Sequence, residues 1–325
     1  MSSWLEWGLP IIEWFQDLGT VWLAPMQFFS FLGTAYFIMF VMPVLYWCYD
    51  ASLGFRLGLA LLTSNGIKDI LKISFGTPRP FWVTDRVKAL ATETCFGVPS
   101  GHAQIAVVLW GRLASFFKKR WITILCILLI LLISASRLYL AVHFPTDVLV
   151  GWLAGGFLLF LFIFADKPIS QWLKAQSFRI KMAIAFIFPL CILVPALLIS
   201  SAAKERGVPQ EWIETAMEAL PELENLDPTN PESIITSCGA LLGFSTGFVL
   251  LYQWGGFSAS GSFIKRLERF FIGIAGVAVI YFGLKLIFPE GMSSHALTFR
   301  FVRYGALGFW VSYLAPRTFV ALKLA

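Results

Sequence analysis

Residues 121–147 read WITILCILLILLISASRLYLAVHFPTD. The first part is an apolar run of the length a helix needs to cross a hydrocarbon core, roughly 20 residues for about 30 Å. It closes on Ser136-Arg137, and after a short turn a second apolar run opens with His143 and Asp147. Two helices joined by a tight corner satisfy their backbone polar groups internally, as a bilayer demands. Ionisable groups at such a corner are costly beside hydrocarbon, so a guanidinium, an imidazole and a carboxylate gathered there point to chemistry.

The same pattern repeats outward in both directions. Apolar runs bounded by charges, Gly or Pro predict spans near 25–47, 54–74, 101–117, 121–140, 144–164, 180–200, 233–253, 270–289 and 298–316. The sixth is expected to be tilted or irregular. Of 325 residues, 58% are hydrophobic and 14% charged, against roughly 45–50% and about 25% in soluble domains. The expected fold class is therefore all-α, a polytopic transmembrane helical bundle. Before the first span, Trp7, Ile11, Trp14, Phe15 and Leu18 recur at helical spacing opposite Glu6, Glu13 and Asp17, predicting an interfacial amphipathic helix within 1–24 or a packed first helix. No Lys or Arg precedes Arg56, so the basic start of a cleavable signal is missing and the N-terminus is expected to be retained.

The net charge is +6, but the cations flank apolar runs, as loop anchoring explains better than nucleic-acid binding. Lys118-Lys119-Arg120, then Lys167, Lys174, Arg179 and Lys181, then Lys265, Arg266 and Arg269 fall on one side, which the bias of Lys and Arg makes cytoplasmic. The loop 75–100, the turn 141–143, the N-terminus and the acidic segment 201–232 then lie outside, and the C-terminus is cytoplasmic. In that segment Glu211, Glu214 and Glu218 stripe a short helix ended by Pro221, either an external lid or a solvated linker. Cys48, Cys126, Cys191 and Cys238 read as small core residues, and Cys95 as an ordinary thiol in a polar loop. GWLAG at 151–155, and more weakly Gly273 with Gly276, are packing devices. GFSTG at 243–247 matches a nucleophile elbow but has neither a preceding strand nor a placed His, so it is not read as chemistry.

Lys72, Arg79, His102, Arg137, His143 and Asp147 sit at ends of spans two to five, all on the external side. Gly76 and Pro78 bend the chain so that Lys72 and Arg79 can converge, and two converging cations want an anion. Pro99-Ser100-Gly101-His102 starts the third span, where free N–H groups and a positive helix end suit phosphate oxygens. Arg137 adds a planar fork. Asp147, four residues after His143, can hold its Nδ1–H and leave Nε2 as a nucleophile. Taken singly, Lys72 could snorkel, Arg137 cap a helix, and either His be a satisfied bundle polar; their clustering favours a site. His295 has no such company and reads as an external loop residue; Asp69 reads as structural support paired with a basic neighbour.

The run Lys72-(six residues)-Arg79-Pro80, Pro99-Ser100-Gly101-His102 and Ser136-Arg137-(five residues)-His143-(three residues)-Asp147 resembles the three-part signature of the type 2 phosphatidic acid phosphatase (PAP2) superfamily, in its integral-membrane lipid phosphate phosphatase branch. The resemblance implies a six-helix catalytic core over 25–200, leaving the acidic 201–232 segment and about three additional helices in 233–325. It further implies His143 as nucleophile, Asp147 as its orienter and His102 as general acid, with Lys72, Arg79, Ser100, Gly101 and Arg137 binding phosphate. The expected activity is metal-independent hydrolysis of a lipid phosphate or pyrophosphate through a phosphohistidine, with no cofactor, metal or nucleic acid, in an inner membrane whose lipids are partners. Phosphotransfer to a lipid or sugar hydroxyl, a sugar-phosphate substrate, and a lipid or anion transporter are the competing readings. The orientation is tested by single cysteines placed in 201–232: an impermeant maleimide added outside should label them, and labelling only from the cytoplasmic side would reverse it.

Overall fold

The computed structural model describes residues 6–222 and 226–325, and every element among them is helical. The helices are α1 (Leu9–Asp17), α2 (Leu23–Phe31), α3 (Ala35–Pro43), α4 (Ala51–Phe75), α5 (Gly101–Phe117), α6 (Arg120–Tyr139), α7 (Pro145–Ala175), α8 (Phe178–Arg206), α9 (Gln210–Ala219), α10 (Glu232–Gln253), α11 (Phe263–Ile287), α12 (Ser294–Phe309) and α13 (Ala315–Ala321). Five of them, α6, α7, α8, α10 and α11, are long and apolar enough to cross a membrane. The chain is thus an all-α polytopic membrane protein. The remaining expected spans differ for local reasons. The 25–47 run breaks into Thr20–Phe31 and Ala35–Tyr49, bent by 51°. Helix α4 carries Arg56, Lys68, Asp69 and Lys72, and α5 has 17 residues. Helix α8 contains Pro189 and Pro195 without interruption. His295 lies in the first turn of α12 rather than in a loop, because the Ser293 hydroxyl caps that helix by accepting from the Ala296 amide at 3.2 Å.

The chain divides into two compact units. The first comprises residues 1–37, 67–161 and 197–230, the second 38–66, 162–196 and 231–325. In the first unit, Phe81 and Trp82 of the short turn Pro80–Trp82 pack with Phe96, Tyr139 and Val142 into a buried cluster. Ala216 and Leu220, from the acidic segment, join the same cluster. The expected stripe of glutamates forms on α9, so one face of that segment is solvated while the other is built into the core. Gln16 of α1 clasps the loop from outside: its side-chain amide donates to the Lys88 and Tyr139 carbonyls at 2.7 and 3.2 Å, and its oxygen accepts from the Lys88 amide at 3.0 Å. Gly151 and Gly155 bring α7 against the start of α5, where added Cβ atoms would meet the Ser100 and Gln104 carbonyls at 2.7 and 2.6 Å.

In the second unit, α10 and α12 meet along small residues. A Cβ at Gly239 or Gly243 would overlap the carbonyls of Phe301 and Gly305, and one at Gly308 the carbonyl of Ala240. Packing of this kind is what holds helices together where lipid is as apolar as the side chains. GFSTG belongs to this stripe, and the Ser245 hydroxyl points at the carbonyls of Leu241 (2.7 Å) and Ala185 (2.9 Å). Gly243→Ala is expected to destabilise the protein by about 1–3 kcal/mol through overpacking, read as a lower unfolding midpoint in detergent. Gly283→Ala, with open space around the site inside α11, should not lower that midpoint and should raise it slightly, since Ala favours helix over Gly by roughly 0.5–1 kcal/mol.

Candidate active site

Lys72 lies in the last turn of α4. The chain leaves that helix at Gly76, whose φ of +58° suits glycine and whose amide donates to the Lys72 carbonyl at 2.9 Å. The loop to α5 folds back over this end. Lys72 Nζ donates to the carbonyls of Phe96 and Gly97. Arg79, fully buried, donates through Nε to the Cys95 carbonyl and through one terminal nitrogen to the Val142 carbonyl, each at 2.6 Å. That second nitrogen also lies 3.3 Å from His143 Nε2. Gly97 is required for close approach: a Cβ there would lie 2.7 Å from the Pro78 carbonyl and 3.1 Å from the Asp147 carboxylate.

Ser100 caps α5, its hydroxyl 3.5 Å from the Ala103 amide, and its own amide donates to the Asp147 carbonyl at 2.8 Å. Gly101 leaves room for the stem of Lys68, whose ammonium pairs with Asp69 at 3.0 Å. His102 packs against Gly33, and its Nε2 is buried without a hydrogen-bond partner among the described residues. Arg137 ends α6, donating to the Ser30 hydroxyl and to Glu93. Its Nε has no hydrogen-bond partner among the described residues.

His143 and Asp147 are both buried. One Asp147 oxygen accepts from His143 Nδ1 at 3.0 Å and from the Phe144 amide at 2.9 Å. The backbone bond fixes the carboxylate at the first turn of α7, so the imidazole is held with its proton on Nδ1 and its Nε2 lone pair directed toward Arg79. Burial, then the charges of Arg79, Lys72 and Arg137, push the His143 imidazolium well below its ordinary range. The ring is therefore neutral near pH 7.

The eight residues singled out from the sequence, Lys72, Arg79, Ser100, Gly101, His102, Arg137, His143 and Asp147, all fall in the first unit around this one corner. Two further groups were not legible. Glu93 bridges the guanidinium groups, one oxygen on Arg137 and the other 3.4 Å from Arg79. Burial alone would raise its pKa, but Arg79 and Arg137 outweigh that and hold the carboxyl well below the usual carboxylate range. Cys95, expected to be an ordinary loop thiol, accepts from Arg79 at 3.1 Å. Although burial opposes it, the charges of Lys72 and Arg79 draw this thiol below its ordinary pKa. Both lie in an aperiodic loop, where spacing carries no information; the only signal was an acid and a thiol between two cation-bearing segments. Among the described residues, no three His, Cys, Asp or Glu side chains converge as a metal ion requires.

A buried imidazole oriented by a carboxylate and set beside guanidinium groups at the end of membrane helices gives this corner the charge and geometry to hold an anion. The chain belongs to the PAP2 superfamily: the family model of that description matches residues 53–172, and a second, PAP2 superfamily phosphatase, transmembrane extension, matches residues 235–325. An undecaprenyl-diphosphatase of Sulfolobus acidocaldarius is 32% identical over 38% of this chain and 62% of its own length. Glucose-6-phosphatase 3 of Bos taurus is 27% identical over 75% of each chain. The crystal structure of a PAP2 type phosphatidylglycerolphosphate phosphatase from Bacillus subtilis aligns with 50% of this chain and 87% of that one, at 25% identity and TM-score 0.43. The chain spans less than two thirds of the length of the microbial relatives it matches.

Breaking a buried pair leaves an uncompensated charge, at a cost of about 3–5 kcal/mol. Glu93→Gln should therefore lower the unfolding midpoint at pH 7. Because the folded-state pKa of Glu93 is depressed, its contribution is complete above the ordinary Glu value of about 4.3. It is lost as pH falls through the folded value, so the gap between wild type and variant should narrow in strong acid. Inorganic phosphate should raise the midpoint of the variant more than that of the wild type.

Proposed function

We propose that the chain is a metal-independent membrane phosphatase that hydrolyses a lipid phosphate or pyrophosphate. The observation that carries this reading is the His143 imidazole, held by Asp147 and turned toward the seat between Arg79 and Arg137. The transferred phosphoryl group takes the place of the Glu93 carboxylate there. Lys72, Arg79, Arg137 and the amides of Gly101 and His102 surround its oxygens, stabilising charge that builds in the transition state, while the Ser100 amide stays on the Asp147 carbonyl. The Nε2 lone pair of His143 forms a bond to phosphorus as the bond to the leaving oxygen breaks. His102, whose Nε2 has no protein partner, delivers a proton to that oxygen. Water then attacks the phosphohistidine, His102 takes its proton, the P–N bond breaks and inorganic phosphate leaves.

In this reading residues 25–200 form a six-helix catalytic core, 201–232 an external segment and 233–325 additional membrane helices. The site faces the external side of an inner membrane, with the N-terminus outside and the C-terminus in the cytoplasm. A sugar phosphate is the second reading of the substrate, favoured by the match to glucose-6-phosphatase 3, which extends over three quarters of both chains. Phosphotransfer would share every step up to the phosphohistidine and differ only in the acceptor. Retained lipid or anion transport without phosphate release would instead place the chain among transporters.

Purified wild-type protein should release phosphate from a panel of isoprenyl pyrophosphates, phosphatidic acid, phosphatidylglycerol phosphate and sugar phosphates, and the preferred member identifies the substrate class. His143→Ala and Arg137→Ala should abolish release, while His295→Ala should be nearly silent. Near-normal release by His143→Ala sinks the assignment. The depressed His143 pKa also sets the pH profile: the neutral nucleophile persists below pH 6.5, so the acid limb of kcat/KM should fall below the ordinary imidazole value of about 6.5.

A further inference from the structure

The second unit contains a polar cavity of about 300 Å³ that the catalytic corner does not use. It is lined by Tyr281 and Lys285 of α11, Glu290 of the following turn, Arg300, Arg303 and Tyr304 of α12, and Glu232 at the start of α10. Arg300 and Glu232 are a satisfied pair at 2.8 Å. Arg303 is not satisfied. It is only 5% exposed, its Nε is sealed from solvent without a partner, and no described residue hydrogen-bonds to its guanidinium. Its nearest carboxylate, Glu290, is 3.7 Å away, beyond hydrogen-bond length, and that side chain is 57% exposed and shared with Lys285 at 3.6 Å. The ring faces of Tyr281 and Tyr304 flank it, with centroids at 5.6 and 5.5 Å. Cation–π contact offsets part of the desolvation of a guanidinium but gives its Nε–H no acceptor.

A buried arginine so placed needs acceptor oxygens, and its planar fork matches those of a phosphate. Lys285 and Arg300 border the same cavity, so three cations converge on it against two carboxylates. We propose that this cavity is a second anion site, separate from the catalytic corner, that binds a phosphate group through Arg303, with Lys285 and Arg300 completing the charge. The group can belong to a phospholipid head or to a water-soluble phosphate, and the chemistry of recognition is the same. Glu290, half in solvent, moves away from Arg303 as the anion enters.

The test uses the full-length protein and two probes. In detergent, labelled orthophosphate is measured by equilibrium binding; in nanodiscs containing phosphatidylglycerol, retained phospholipid is counted by native mass spectrometry. Arg303→Gln should lose one bound equivalent relative to its parent, both in the wild type and in an Arg137→Ala background that removes the catalytic seat. Arg303→Lys should keep the site with affinity reduced roughly tenfold, since it retains charge but not the fork. Loss only of orthophosphate assigns a water-soluble ligand, and loss only of retained lipid assigns a headgroup. A folded Arg303→Gln protein that binds both probes as its parent does overturns the proposal. Should that variant fail to fold, Lys285→Gln, altered at a half-exposed side chain, should weaken binding several-fold, and unchanged binding there overturns it equally. Hydrolysis is not the readout, so the outcome is independent of the catalytic reading.

Discussion

A guanidinium buried at the end of membrane helices has to find oxygens, and the corner that carries His143 and Asp147 is organised around that need. Arg79 is fully buried and directs its donors at the carbonyls of Cys95, Phe96 and Val142, at Glu93 and at the thiol of Cys95. Those acceptors come from two separate segments, the loop before α5 and the turn before α7. One side chain thereby fixes the loop that carries Ser100 and Gly101 against the turn that carries His143. Arg137 repeats the arrangement from α6, reaching Ser30 of α2 and the same glutamate. Desolvating two such groups costs several kcal/mol each unless the geometry repays it. The repayment here comes from fixed carbonyl dipoles and one carboxylate.

The placement of Asp147 follows from a separate local rule. A carboxylate in the first turn of a helix accepts from a free backbone amide, here that of Phe144. The same oxygen then has one lone-pair direction left for the imidazole four residues earlier. Helix initiation and orientation of the His143 imidazole are therefore a single interaction, and the corner between α6 and α7 needs no second carboxylate to hold the ring.

Much of this was legible in the sequence, because helical periodicity, helix-end chemistry and fixed short spacings all leave traces in the order of residues. The starts of α5 and α7 fall within about a residue of the expected spans, since Ser100 and Pro145 are strong initiators. Where the trace failed, the cause was physical. Charges inside α4 and the bend between α2 and α3 do not register in a hydropathy average. Glu93 and Cys95 lie in a loop whose path is set by Lys72 and Arg79 reaching for carbonyls, a tertiary constraint without a period. GFSTG, set aside from the sequence for want of a preceding strand and a placed His, turns out to be packing, its glycines facing a neighbouring helix.

The glutamate between Arg79 and Arg137 changes how the corner meets any anion. A seat already holding a carboxylate works as an ion exchanger: what enters is bound by the difference between two anions rather than by the whole attraction of the cations. Monovalent competitors gain almost nothing from the swap, whereas a doubly charged phosphoryl group gains on the second charge. The exchanger also resets itself, because the tethered carboxylate has a high local concentration and reclaims the seat as a bound anion departs. Strong electrostatics can in this way coexist with ready release.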